Sequence, residues 1–450
     1  MTTIHDIPEV AHWRRSGGLL RIPPGVDVPL TARVRRLIDT PGFRRLAHIS
    51  QLGLVSLVYP AANHSRQEHS LGVFLAAIEY LDRLAADERF AASVTPADAE
   101  LLLAAALLHD VGHWPFGHPI EDLRLPQISS HEELARRFIV EGEIATILEN
   151  EWGLNPADVA GLVSGKPGSG NRQILKSMLS GPIDIDKIDY LMRDSLHAGV
   201  PYGQHFDRRR LIGGLCLNEA GDSLAITDKG KTAAEMMVFA RYVMFSEVYW
   251  HHAVRSATAM LQRAFSMLHD TLELDRLLEM TEQPFIETLL VAAADRPERE
   301  LLDGLFGPRR RLYKRLAQYN YLEEPDLYRQ LARRPFAELV AAAESVAESL
   351  GKALGMPVAP HEVLIDAPPA ELEVDFDIEV FFPKQNVYHR LGDVSPVVRT
   401  LARDQFDNYV KRVRVFVHPR LARDLQKRVD LRDRLAEAIA ENQKRGQNYL

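Results

Sequence analysis

The stretch that most constrains this chain is Leu101–Leu108, LLLAAALL, eight apolar residues followed directly by His109 and Asp110. A helix that is apolar on every face has no side to offer water, so it must be enclosed by other elements. It falls far short of the eighteen or so residues that span a bilayer, and charged residues stand close on both sides, so a buried core helix is predicted. Its entry is well marked, with Thr95 as the N-cap, Pro96 in the first helical position and Glu100 in the first turns. Its exit is unusual: the most hydrophobic run of the chain ends on an imidazole and a carboxylate, with Gly112 two residues on to let the backbone turn.

The surroundings read as helices as well. Leu71, Phe74, Leu75, Ile78 and Leu81 recur at helical spacing within Gln67–Leu84, which places His69 in a first turn. Further helices are expected at about 131–149, 171–180, 184–197, 231–268 and 284–297, with SGKPGSG at 164–170 as a loop. Near residue 372 the texture changes to LEVDFDIEVFF, and later to KRVRVFVHP, both suited to strands. The fold class expected is mainly α, a helical core with a smaller C-terminal α/β appendage. The expected division is an N-terminal segment 1–45 with a regulatory or interface role, a core 46–300, and a C-terminal region 301–450 that could serve oligomerisation.

With 46% hydrophobic and 26% charged residues in 450, the chain reads as globular, and a net charge of -8 gives it no overall pull toward nucleic acid or anionic membrane. A single cysteine, Cys216, and an N-terminus without an apolar core point to a reducing cytoplasm.

Adjacent histidine and aspartate at a helix end can both reach one cation if the backbone turns there. His109 and Asp110 need further partners, and His69 with Asp184, Asp186 or Asp189 of GPIDIDKIDYLMRD are the candidates. Each of these residues alone reads more simply as a hydrogen-bonded histidine or a solvated acid; the case lies in the set.

The set RQEHS, HDVGHWPFGH, SHEE and DIDKIDYLMRD resembles the HD-domain phosphohydrolase superfamily, and within it the deoxynucleoside triphosphate triphosphohydrolases. The similarity runs from LIDTPGFRRLAHISQLG to RYVMFSEVYWHHAV, about half of the chain. The resemblance implies an HD-domain helical core in which His69, His109, Asp110 and Asp186 hold a divalent metal: iron, manganese or magnesium, in a mixed or dinuclear site if two ions are present. It implies His131 as the catalytic acid with Glu132 orienting it. Arg66, His113, His118, Lys187 and Arg241 match triphosphate contacts, Gln51, Leu52, Tyr190 and Asp194 match sugar contacts, Tyr249 crowds the sugar 2′ position, and Trp250 lies near the base. The implied reaction releases a deoxynucleoside and inorganic triphosphate, with attack at the α-phosphorus by a metal-activated water. Implied partners are the dNTP substrate, a nucleotide activator, and copies of the chain in a tetramer or hexamer.

The chain departs from the family at the activator site. Asp39 matches an acidic position there, but Arg44 stands where a glutamine is expected and Ala47 where an arginine is. Arg210, in the run Arg208–Arg210, offers a phosphate contact at a subunit interface instead. Trp250 replaces a glutamine, so base preference does not transfer. The rival readings are an HD phosphohydrolase acting on alarmones or on nucleoside mono- or diphosphates, and a nuclease or single-strand binder using GPRRRLYKRL, 307–316, which the acidic net charge disfavours.

Overall fold

The computed structural model describes residues 3–15, 19–165, 170–368, 377–401, 409–425 and 435–439. The protein is mainly α-helical. The helices that matter below are α1 (Arg66–Leu84), α2 (Pro96–Leu108), α3 (His131–Val140), α4 (Ile185–Ala198), α5 (Lys231–Met244), α6 (His252–Leu268) and α7 (Phe336–Leu354). Among the described residues nine strands follow in chain order: β1 (Leu19–Ile22), β2 (Val26–Pro29), β3 (Leu215–Leu217), β4 (Leu224–Thr227), β5 (Lys314–Tyr319), β6 (Val363–Asp366), β7 (Glu379–Phe382), β8 (Val387–Arg390) and β9 (Val413–Val417). Among the described residues no helix is long and apolar enough to cross a membrane.

The chain forms two compact units that interleave along the sequence. The first comprises Met1–Pro115, Ser129–Met244 and Val374–Arg403. Its centre is α2, buried from Leu101 through Leu108, as its uniformly apolar sequence requires. Thr95 caps it and closes a capping box with Asp98. Against α2 and α4 packs α1, whose start is capped by the Ser65 hydroxyl accepting from the Glu68 N–H at 3.2 Å. At the start of α4 the Asp184 side chain accepts the Lys187 N–H at 2.6 Å, and Gly199, left-handed at φ 69°, ends the helix. Strands β1 and β2 make an antiparallel hairpin, while β3-β4-β7-β8 form a four-stranded sheet in which β4 and β7 run parallel.

The second unit comprises Phe116–Ile128, Phe245–Glu373 and Asp404–Leu450. Here β9 lies between β5 and β6 in an antiparallel sheet, and its Val413, Val415 and Val417 meet Leu339, Val346 and Leu350 of α7 in one core. The two strand-like segments read from the sequence thus enter different sheets: β9 joins this one, and β7 joins the sheet of the first unit. Residues 372–376 of the first segment, and 166–169 of the expected loop, lie outside the described residues.

The helix expected over 231–268 is broken. Its backbone widens into a π-helical turn at Phe245–Tyr249, and α6 restarts with the His251 ring nitrogen accepting the Ala253 N–H at 3.3 Å.

Candidate metal centre

One helix end and two helix starts bring the donors together. His109 follows the last residue of α2, His69 occupies the second turn of α1, and Asp186 lies in the first turn of α4. All sit in the first unit. His69 Nε2 lies 3.0 Å from Asp186 Oδ1 and 3.3 Å from His109 Nε2. His109 Nε2 in turn lies 3.4 Å from Asp110 Oδ1 and 4.0 Å from Asp186 Oδ1. One donor atom each from His69, His109 and Asp110 fits within 4.8 Å of the others.

The proton positions follow from the partners on the far side of each ring. His109 Nδ1 faces the Ala106 carbonyl at 2.8 Å, and a carbonyl only accepts, so Nδ1 carries the hydrogen and Nε2 presents its lone pair. His69 Nδ1 faces the Asp189 carboxylate at 2.9 Å. Outer hydrogen bonds of this kind are how metal-binding imidazoles are held, so the donor set fits a borderline divalent cation. Burial opposes a charge on His69, yet the hydrogen bonds it donates to Asp186 and Asp189 push its pKa up to about 10. The acids around His69 thus favour positive charge at this place.

Asp110 anchors a second layer. Burial would raise its pKa, but His109, His113 and Arg66 hold it well below the usual carboxylate range. Arg66 Nη1 donates to Asp110 Oδ2 at 2.8 Å and His113 Nε2 lies 3.3 Å from Asp110 Oδ1. Burial and the Arg66 charge hold His113 well below the usual imidazole range, so it is neutral. Arg66 Nε is buried with no hydrogen-bond partner among the described residues. The His113 ring stacks on that of His131 with centroids 4.0 Å apart, and Glu132 Oε1 lies 3.4 Å from His131 Nε2.

Around this core stand other residues singled out from the sequence. Lys187 Nζ donates to Asp184 Oδ2 at 2.6 Å and to the Gly181 carbonyl at 3.1 Å. Burial pushes Asp184 up to about 6 despite that lysine. Tyr190 is raised by burial, with the charges of Arg241 and Lys187 near enough to oppose the shift. Asp194 is buried, with its Oδ1 3.0 Å from His64 Nε2. Gln51 lies beside this pair, its backbone N–H bonded to the His64 carbonyl at 2.9 Å, and its side-chain oxygen is buried without a hydrogen-bond partner among the described residues. Leu52 follows it, half-buried.

Three of the expected contacts belong to the second unit: exposed His118 in the helix Gly117–Glu121, Tyr249 in the π-helical turn, and Trp250, buried under Arg255 at 4.4 Å from its ring. Asp39 and Arg44 pair with each other at 3.7 Å on the surface, and exposed Arg210 donates to the Lys229 carbonyl at 3.0 Å.

Gly112 has a different role from the one its position suggests. It is not left-handed; a Cβ there would lie 2.1 Å from the His131 carbonyl oxygen and 2.2 Å from the Ala135 backbone nitrogen. The glycine lets α3, and with it His131, come up against the loop after Asp110. Gly112→Ala is expected to destabilise the protein by about 1–3 kcal/mol or to push α3 away. Chemical denaturation and the turnover rate, which falls with the misplacement of His131, check this.

Reasoning from sequence missed Arg45, which is buried and donates to the Val111 and His113 carbonyls at 2.9 and 2.8 Å, bracing the same loop. It also missed Glu68, His64 and Arg193. Arg193 had a visible signal, its i,i+4 spacing from Asp189.

Comparison with known proteins agrees with this geometry. Residues 66–194 match the HD domain family, and residues 206–441, more than half of the chain, match the HD associated region. The chain belongs to the HD-domain family, with its HD associated region. It is 32% identical over 303 residues to an uncharacterised protein of Methanocaldococcus jannaschii, covering 66% of this chain and 59% of that one. It is 31% identical over 264 residues to the deoxynucleoside triphosphate triphosphohydrolase SAMHD1 of Gallus gallus, covering 51% of this chain and 42% of that one. The chain thus spans only about half the length of these two relatives. Its fold matches the crystal structure of a hypothetical protein from Aquifex aeolicus with a TM-score of 0.70 at 27% identity, covering 91% of this chain and 98% of the other. HD domains bind divalent metals, and the chain is a member of a hydrolase family with a histidine and aspartate cluster able to hold one.

Proposed function

We propose that the protein is a metal-dependent triphosphohydrolase that cleaves deoxynucleoside triphosphates to deoxynucleoside and inorganic triphosphate. The observation that carries this reading is the meeting of four donors, His69, His109, Asp110 and Asp186, beside a buried arginine, Arg66, whose Nε–H has no protein partner among the described residues. The choice of dNTP over other nucleotides draws support from the relatives named for that activity.

In this reading His69, His109, Asp110 and Asp186 hold the cation. Iron, manganese or magnesium there supplies a Lewis acid for a phosphoryl oxygen and lowers the pKa of a water. The free N–H of Arg66 donates to α-phosphate oxygens as charge builds on them, while neutral His113 spends its N–H on Asp110 and holds that carboxylate in place. Lys187 exchanges part of its bond to Asp184 for the triphosphate, with the Arg241 charge near it. Gln51, Leu52, Tyr190 and Asp194 take the sugar. His131, oriented by Glu132, gives its proton to the departing 5′ oxygen, which leaves as the hydroxyl of the deoxynucleoside. We propose further that the chain assembles as a homo-oligomer through its C-terminal region, and that Asp39, Arg44 and Arg210 mark where a nucleotide activator would act.

Incubation of the purified chain with each of the four dNTPs and with GTP, singly and mixed, with manganese or magnesium, tests the proposal by product chromatography. Deoxynucleoside with intact triphosphate is expected, and a requirement for a mixture identifies activation by a second nucleotide. Monophosphate or diphosphate products overturn the triphosphohydrolase assignment in favour of another HD phosphohydrolase.

A further inference from the structure

Behind His69 lies a run of charged side chains that the proposed reaction does not use. Asp189 Oδ2 accepts from His69 Nδ1 at 2.9 Å, and Arg193 grips both oxygens of that carboxylate, Nε to Oδ2 at 2.7 Å and Nη2 to Oδ1 at 2.8 Å. The remaining guanidinium nitrogen, Nη1, donates to Glu68 Oε1 at 2.6 Å and to the Pro23 carbonyl at 3.2 Å. Glu68 Oε1 also takes His197 Nε2 at 2.8 Å. His69, Asp189 and Arg193 are all buried.

We propose that Glu68, Asp189 and Arg193 form a frame that positions His69 as a metal ligand, and that Gly72 provides the space in which the frame is built. The inference rests on the reading of His69 as a ligand. Asp186 and Asp189 are three residues apart on α4, so they flank one imidazole from the same helix face, one at each ring nitrogen. Only one of them can share the cation; the other fixes the ring. An anionic acceptor at Nδ1 holds the hydrogen there, turns the Nε2 lone pair toward the donor cluster and makes it more basic. Buried Asp189 stays anionic because Arg193 neutralises it in a forked, geometrically exact pairing, and Glu68 in turn keeps Arg193 from being a lone buried cation.

Gly72, one turn after His69 on α1, shows how tightly the frame is fitted. A Cβ there would lie 1.9 Å from Asp189 Oδ1 and 2.3 Å from Arg193 Nη2. Any side chain at residue 72 would shift the pair and carry the His69 ring with it, while leaving every polar group of the centre chemically intact.

The test measures manganese affinity of the full chain by titration of free Mn²⁺, for the unmodified protein and for Asp189→Asn, Gly72→Ala, Glu68→Gln and His69→Ala, with circular dichroism reporting the fold. Asp189→Asn and Gly72→Ala are expected to bind Mn²⁺ about 10- to 100-fold more weakly. Glu68→Gln is expected to lose several-fold by the same route, and turnover in all three should recover as Mn²⁺ is raised. Glu68 is only partly buried, so its variant carries the test if the others fail to fold. A folded frame variant with unchanged affinity, or a loss of turnover that excess Mn²⁺ does not restore, overturns the frame. If the unmodified protein binds Mn²⁺ no better than His69→Ala, the metal reading itself fails and the frame falls with it.

Discussion

His109→Ala is expected to leave a folded protein that retains no tightly bound metal and turns substrate over at least about a thousandfold more slowly, the several kcal/mol that Lewis-acid stabilisation contributes. The choice of residue matters. Outside the donor cluster, His109 makes a single hydrogen bond, to the Ala106 carbonyl, at the solvent-reached end of α2. Its removal thus leaves no buried charge behind. Asp110 is different: its loss would strand Arg66 beside neutral His113 in a buried setting, and breaking a buried pair costs about 3–5 kcal/mol. An Asp110→Ala protein could lose activity simply by unfolding. Asp186→Asn, which preserves shape and takes away only the charge, is the companion to His109→Ala. Elemental analysis of the purified variants, read beside their rates, separates the outcomes. Full metal content in both variants would remove His109 and Asp186 from the donor set.

The sequence made the centre legible wherever the signal was local. An all-apolar helix ending in histidine and aspartate had to be buried and had to present those groups at its tip, and α2 does so. The choice among Asp184, Asp186 and Asp189 was not open to the same reasoning, because spacing along a helix does not fix its rotation toward a neighbour. In the structure each acid has its own partner: Asp184 caps α4 and takes Lys187, Asp186 meets His69 Nε2, and Asp189 meets His69 Nδ1. Strands escaped for a related reason. β3 and β4 have three and four residues, and β4 pairs in parallel with β7 more than 150 residues later, so nothing near them in sequence announces the sheet. The break after α5 was equally silent: a π-helical turn has no composition of its own, and His251 is not a residue one looks for at an N-cap.

His131→Ala should behave in the opposite way to the ligand variants, keeping its metal while turnover falls about 10²- to 10⁴-fold. The geometry behind the expectation is the stacked pair of His113 and His131. His113 is neutral and tied to Asp110, so it is committed to the donor cluster and has no proton to spare for a leaving group. His131 opens α3, its side chain is partly reached by solvent, and Glu132 Oε1 stands 3.4 Å from its Nε2. Of the two stacked rings, His131 is the one that solvent reaches, so a proton can be reloaded there, and Glu132 stands beside it. Replacing it with alanine removes one face of the stack but none of the donors. Metal content at the level of the unmodified protein with slow turnover is therefore the expected pair of readings. Unchanged turnover would mean that the departing oxygen takes its proton elsewhere, and loss of metal together with turnover would mean that the His131 ring holds the Asp110 loop in place and carries no proton.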